Sequence, residues 1–425
     1  GEAAQYIFKE SDNLPQYLFI SVIVALFLGL TVSAEEIIRD QKILNREKFL
    51  NLSKRSYLIS KIGIMFLISA IQALMYVLVG NAVLDIKGMW VDYWLILFST
   101  SCFANLLGLN ISASFNSAKV IYILIPILII PQLLFSGVIV KFDKLHPFFS
   151  SQASVPWIGN VMASRWAYEA LAVNQFKNNE FEQQLFEYDK KLRYYNWKKD
   201  FWVKNLRGKV VESKRLLSTK DDPETLDYNL TVLRNEFEKE VKSAKGLEFE
   251  LISKLNPTTV DSTLLNEVDE TLDQLFDYYK TNYNLVWKKK DQKKTELSNT
   301  PEKRARYLAL EEAYSNESLR DFVTNSNELE KIVEYDAELV QKNFPIYLTP
   351  EHKGFFGAQF YAPTKNFFGK QITTKSANLL VIWGMTFLLT AMLFVDGLRW
   401  FIERISGLLE RFAQVLKIKV KFSFK

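Results

Sequence analysis

Long uncharged runs alternate along this chain with stretches in which a charged residue recurs every two or three positions. Tyr17 to Val32 holds sixteen positions without a charge, near the lower limit for a helix crossing a bilayer at ~1.5 Å per residue. Leu58 to Val83 carries only Lys61, close to its start, and Tyr93 to Ala118 and Val120 to Val140 carry no charge. A last run, Ala377 to Val395, stops at Asp396. Apolar residues are worth roughly −0.3 to −0.6 kcal/mol each at mid-bilayer, so every run inserts by several kcal/mol. The pattern predicts an all-α membrane protein with spans at 16–33, 57–83, 91–118, 119–140 and 376–398.

Orientation follows from the cations beside the spans. Arg39, Lys42, Arg46, Lys48, Lys54 and Arg55 lie between the first two spans, and Arg399, Arg404, Arg411 and four more lysines, up to Lys425, follow the last. Cationic flanks stay in the cytoplasm. Residues 34–56 and the basic amphipathic tail 399–425 are therefore expected inside. The loop 1–15, the connection around Lys87 and everything from Lys141 to Lys375 are expected outside. Five spans between an outer Gly1 and an inner Lys425 make an odd number, and a sixth span upstream of Gly1 is expected.

The outer part contains a large charged insertion, 177–345, between segments 141–176 and 346–375. Residues 176–345 hold 29 Lys and Arg against 33 Asp and Glu, a net of −4, whereas the rest of the chain carries +9. Leu264, Leu265, Val268, Leu272, Leu275, Phe276 and Tyr279 recur at helical spacing. Breakers at Asp221-Asp222-Pro223, Asn256-Pro257 and Asn299-Thr300-Pro301 cut the insertion into four to six helices, and Thr300-Pro301-Glu302-Lys303 reads as a helix start. The charges are expected on solvated helix faces.

Candidate chemistry is sparse. One Cys (Cys102) and two His (His146, His352) leave no disulfide framework and no Cys/His metal cluster within the chain. Phosphate-cradling, dinucleotide, zinc-protease and nucleophile-elbow signatures are all missing. Gly354 and Gly357 stand among aromatics and are expected to shape a turn, and both histidines are expected to be structural. Pro126 and Pro131 share a span, where each removes a backbone donor, which fits a hinge or a packing kink. Asn105, Asn110 and Gln72 suit interhelical hydrogen bonds of ~0.6 to 2 kcal/mol. Asp396 and Arg399 are spaced to pair across one turn. Ala34 to Arg55 alternates charges of both signs with Ile37, Ile38, Ile43, Leu44, Phe49 and Leu50. That is an amphipathic helix whose mixed charges suit a protein partner better than lipid.

With those residues in place, Ser33-Ala34-x-Glu36-Ile37, Asn45-Arg46-Glu47 and Ser56-Tyr57-Leu58-x-x-Lys61 resemble the transmembrane domain of bacterial G-subfamily ABC exporters (type V, with an ABC type-2 membrane domain). Pro131-Gln132-Leu133-Leu134-Phe135-Ser136-Gly137-Val138 is similar to the outer part of that family's fifth span. Arg165-Trp166-x-x-x-Ala170-Leu171-x-x-Asn174-Gln175-Phe176 is similar to its re-entrant helices. The resemblance covers roughly residues 16–176 and 350–400, without the family's nucleotide-binding domain and first span.

The resemblance implies a coupling helix whose Glu36, Asp40, Arg46 and Glu47 face a nucleotide-binding domain, with Asp40 standing where Glu is usual. It implies a cavity between two membrane domains lined by Leu28, Pro126, Ile130 and Leu133, and an external gate at Val138 and Ile139. It further implies a re-entrant motif built on Arg165, Trp166, Asn174 and Phe176, in which Gln175 replaces a common Glu and so forfeits a salt bridge. Such a cavity offers no ionisable group, so a hydrophobic or amphipathic, lipid-like cargo is expected, because a charge at mid-bilayer costs ~2.5 kcal/mol or more. No cofactor is expected in this chain. ATP and Mg would bind in the associated nucleotide-binding domain, fused upstream or separate, and enzymatic activity would arise only with it. The other expected partners are a second copy of the membrane domain, membrane lipid and a periplasmic partner of 177–345, with no nucleic acid. The expected setting is a bacterial inner membrane. Two alternatives stand beside the exporter: a mechanotransmitting ABC membrane protein acting through its external helices, and a membrane scaffold or receptor without ATPase.

Overall fold

The computed structural model describes residues 6–47, 53–115, 117–146, 148–243, 252–350 and 354–415. The first uncharged run folds as α1 (Leu14–Ser33), opened by Pro15, whose missing N–H costs nothing in a first turn. The amphipathic α2 (Glu36–Glu47) follows within the expected 34–56 segment, of which Lys48, Phe49 and Leu50 lie outside the described residues. Helix α3 (Lys54–Val83) starts on Ser53, whose hydroxyl accepts from the Ser56 amide. Its thirty residues extend ~45 Å, more than a bilayer core. Helices α4 (Trp90–Ser114) and α5 (Ala118–Leu134) come next. The span expected over 119–140 therefore ends early. Pro126 and Pro131 remove two helical donors, the Ser136 hydroxyl donates to the Leu133 carbonyl at 2.8 Å, and residues 135–140 form irregular turns.

The short α6 (Trp157–Val161) leads into α7 (Ala163–Lys177), which is buried along its whole length from Ala163 to Phe176. The insertion then adds α8 (Phe186–Trp197), a π-helical turn at Lys198–Trp202, α9 (Val203–Thr219), α10 (Pro223–Ser243), α11 (Ser262–Ser298), α12 (Pro301–Tyr314) and α13 (Glu317–Thr324). Pro223 and Pro301 sit at helix starts, and the Thr300 hydroxyl accepts from the Lys303 amide as the sequence predicts. The insertion has its own apolar core, where Leu264, Leu265, Val268, Leu272, Leu275 and Tyr279 of α11 meet Trp202, Leu206, Leu233 and Phe237. It is not wholly helical. Strands β1 (Ile332–Tyr335) and β2 (Glu338–Gln341) pair antiparallel, Val333 opposite Val340, around Asp336 and Ala337, both at positive φ. β-Branched pairs in four-residue runs favour strand over helix there.

A second hairpin, β3 (Thr364–Phe367) and β4 (Lys370–Thr373), delivers the chain to α14 (Thr374–Phe394), and α15 (Gly397–Val415) follows. Gly354 and Gly357 bracket a single 3-10 turn. Among the described residues α1, α3, α4 and α14 are long and apolar enough to cross a membrane, and α5 is a shorter apolar helix. The protein is thus an all-α membrane protein with two small hairpins. Helix α4 is its axis, packed on α1, α3, α7 and α14. Small residues permit this. A Cβ on Gly108 would stand 2.0 Å from the Ser33 hydroxyl, and one on Gly29 would stand 2.6 Å from the Ser101 carbonyl, so only glycine lets α1 and α4 cross this closely. Asn105 donates to Ser69 of α3 at 2.7 Å and Asn110 to the Leu389 carbonyl of α14 at 2.9 Å, acting as the interhelical glue expected of them.

Candidate functional site

Three groupings could carry function, and they lie at different levels of the bundle. At one end, α2 is latched onto the helices beside it. The Ser112 hydroxyl of α4 accepts from the Ile37 and Ile38 amides at 3.0 and 3.1 Å. Lys61 of α3 then reaches Glu36 at 2.7 Å and Asp40 at 2.8 Å, and the Tyr57 hydroxyl donates to Asp40 at 3.0 Å. The two quoted motifs around Glu36 and Tyr57–Lys61 thus meet in space. The carboxylates of Glu36 and Asp40 are both tied to Lys61, and Glu36 also holds Arg39 at 2.6 Å. Arg39 and Arg46 are exposed, and the Glu47 side chain lies outside the described ones. At the same end Lys54 pairs with Asp396, while Arg399 pairs with Glu403 at 3.0 Å, so the expected Asp396–Arg399 pair does not form. Lys417, Lys419, Lys421 and Lys425 lie outside the described residues, as does His352.

Along the middle, α5 packs on α1, and the two helices leave an apolar surface. Pro126 and Ile130 are exposed on α5, together with Tyr122, Ile123 and Ile127; Ile20 and Phe27 are exposed on α1. Leu28 and Leu133 are half-buried. The four residues expected around a cavity therefore lie on the flank of a single chain and do not enclose a space within it. Just beyond α5, Val138 is half-buried against the core and Ile139 is exposed. Val138 lines a cavity of about 320 Å³ together with Phe142, Phe360 and Tyr361.

The third grouping surrounds α7. Glu169 is fully buried and contacts Lys365 of β3 at 2.9 Å, while Asn378 of α14 donates to it at 2.8 Å and the Tyr361 amide at 3.2 Å. Arg165 stands one turn away at 3.5 Å, its guanidinium 3.8 Å above the Trp166 ring. Arg165 and Lys365 are both buried, so two cations share one carboxylate. Burial drives Lys365 down to about 8, opposed by Glu169 and assisted by the charge of Arg165. The quoted re-entrant residues make the surrounding ties. The Trp166 indole donates to the Asn160 carbonyl at 2.8 Å, and Asn174 donates to Asp92, which holds Lys375 at 2.7 Å. Phe176 meets Tyr347 edge-on. In place of a salt bridge, Gln175 accepts from the Tyr93 hydroxyl at 2.8 Å. Glu169, Lys365 and Asn378 escaped the sequence reading. The available signal was Glu169 one turn after Arg165 in the run Trp166 to Val173, whereas Lys365 and Asn378 lie about two hundred residues away. His146 is exposed, and its ring accepts from the Phe148 amide.

None of these groupings holds a nucleophile with a base, and no metal-binding cluster of His, Cys, Asp or Glu occurs among the described residues. What the arrangement offers is an amphipathic helix pinned to a bundle, and an apolar flank. No curated protein and no solved structure matches the chain. The family model described as ABC-2 type transporter matches residues 3–176, from the start of the chain through α6 and α7 as far as Phe176, and supports an ABC type-2 membrane domain over that stretch.

Proposed function

We propose that this chain is the membrane permease part of an ATP-driven ABC exporter, moving a hydrophobic or amphipathic, lipid-like cargo out of the cytoplasm or inner leaflet. The observation that carries the reading is the ABC-2 type transporter match, which takes in both the latched α2 and the apolar α1/α5 flank. In this reading two copies face each other across Leu28, Pro126, Ile130 and Leu133, with Val138 and Ile139 closing the outer end. ATP and Mg bind to a nucleotide-binding domain fused upstream or supplied separately. That domain meets the exposed side of α2 around Arg46, and the Lys61 contacts pass its movement to α3. The insertion faces the periplasm of a bacterial inner membrane.

Two measurements test this. A photocrosslinker at Arg46 in the full-length protein should capture a nucleotide-binding domain. Reconstituted complex should hydrolyse ATP faster when lipid-like cargo is added. Capture without stimulation by any amphipathic cargo would favour a second reading, suggested by the separate core of the insertion. There the insertion transmits force to a periplasmic partner. Deleting 178–343 should abolish that role while leaving a lipid exporter partly active.

A further inference from the structure

The insertion contains a second, larger cavity that the transport reading does not use. It measures about 640 Å³ and lies between α8, α10, β2 and the returning residues Tyr347 to Pro350, Gly357, Gln359 and Ala362. That volume is within the range of sites for small organic molecules. One wall is aromatic, from Tyr194, Tyr195 and Trp197 of α8, and Leu348 lies on the wall formed by the returning segment.

The charges around it divide into satisfied and unsatisfied sets. Buried Lys198 pairs with Glu240 at 2.6 Å and lies 4.0 Å over the Trp202 ring. Lys239 bridges Glu236 at 2.9 Å and Glu338 at 2.8 Å. Lys190, by contrast, is half-buried and makes no hydrogen bond or ion pair among the described residues. Burial lowers its pKa, Glu187 opposes that, and Lys177 adds a like charge. Lys191 stands exposed beside it on the same rim. Of the four lysines and four glutamates that line the cavity, Lys190 is thus the half-buried cation left without a bonded partner, with Lys191 and Glu187 beside it on the aromatic trough. A cation partly withdrawn from water gains most from an anion brought to it.

Ala153 and Gln359 line both this cavity and the one beside Val138. The Gln359 side-chain amide donates to the Gln341 carbonyl at 2.9 Å.

We propose that this cavity binds a single-chain amphipathic anion, its head group at Lys190 and its chain along Tyr194, Tyr195 and Leu348. The site stands on its own geometry and does not require the transport reading.

Full-length protein in lipid nanodiscs, with no nucleotide, is incubated with a long-chain fatty acid bearing a diazirine, irradiated, and mapped by peptide mass spectrometry. Label is expected on the peptides holding Tyr194–Trp197 and Tyr347–Leu348. Unlabelled long-chain fatty acid should compete, and acetate at equal concentration should not. Lys190→Gln is expected to weaken labelling about tenfold, Lys190→Arg to retain it, and Leu348→Trp to block it by filling the trough. Label confined to α1, α3 and α5, or label at the cavity that Lys190→Gln leaves unchanged, overturns the proposal. So does Lys190→Arg labelling as weakly as Lys190→Gln, which would make Lys190 a structural residue. Because binding is read without ATP or flux, a failed transport assay leaves this result untouched, and the converse holds too.

Discussion

At the scale of single residues the most constrained group is Glu169, a carboxylate without solvent that answers two buried cations and accepts from Asn378 and the Tyr361 amide. Removing one partner of such a set strands charge in a low dielectric. Glu169→Ala is expected to lower stability by about 3 to 5 kcal/mol, read by thermal unfolding of the detergent-solubilised full chain. Adding Lys365→Met should recover part of that loss, and a double variant no better than the single one would mean that the pair is not coupled. Lys365 also gives a pH signature. Its folded pKa is lowered to about 8, against ~10.4 for a free lysine. Between those values the unfolded chain holds a proton that the folded chain has released, so this group makes stability rise with pH across that window. Comparing unfolding at pH 8 and pH 10, wild type should gain relative to Lys365→Met, and equal slopes would contradict the assignment.

At the scale of elements, α2 is the part whose position matters most. Its lock is Lys61, which ties Glu36 and Asp40 of α2 to α3. Lys61→Met should leave the nucleotide-binding domain bound but reduce cargo stimulation of its ATPase about tenfold, and Lys61→Arg should largely retain it. Loss of association in Lys61→Met would instead place the residue at the partner interface.

Much of this level was legible in the chain. Uncharged runs gave α1, α3, α4 and α14 because a bilayer leaves helices little alternative, and Pro223, Thr300 and Pro301 marked helix starts in the insertion through local chemistry alone. The early end of α5 was less legible, since Val120 to Val140 is apolar throughout and hydropathy does not register a turn built by Ser136 and Gly137. The β1–β2 hairpin was hidden by runs of four residues, too short for periodicity to register. The Lys61 contacts of Glu36 and Asp40, and those of Glu169 with Lys365 and Asn378, join different elements, which one chain without a fold does not reveal.

At the scale of the whole molecule, the exposed apolar flank of α1 and α5 is the surface that the account assigns to a second copy. Cys102 is the single cysteine and is buried, so Ile130→Cys in a Cys102→Ser background gives a clean probe. Copper-catalysed oxidation in membranes should yield a dimer from Ile130→Cys and little from Ile71→Cys on α3, which is equally exposed. Equal yields from both positions would indicate collision in the bilayer, without a defined interface.

The measurement that bears most directly on the central claim is flux. Full-length protein with its nucleotide-binding domain, reconstituted in liposomes with that domain facing the bath, should carry a fluorescent amphipathic lipid analogue to the lumenal leaflet when ATP and Mg are added. Movement should stop with a non-hydrolysable nucleotide. ATP hydrolysis that continues with no movement of any amphipathic cargo, or movement that is indifferent to nucleotide, would contradict the account.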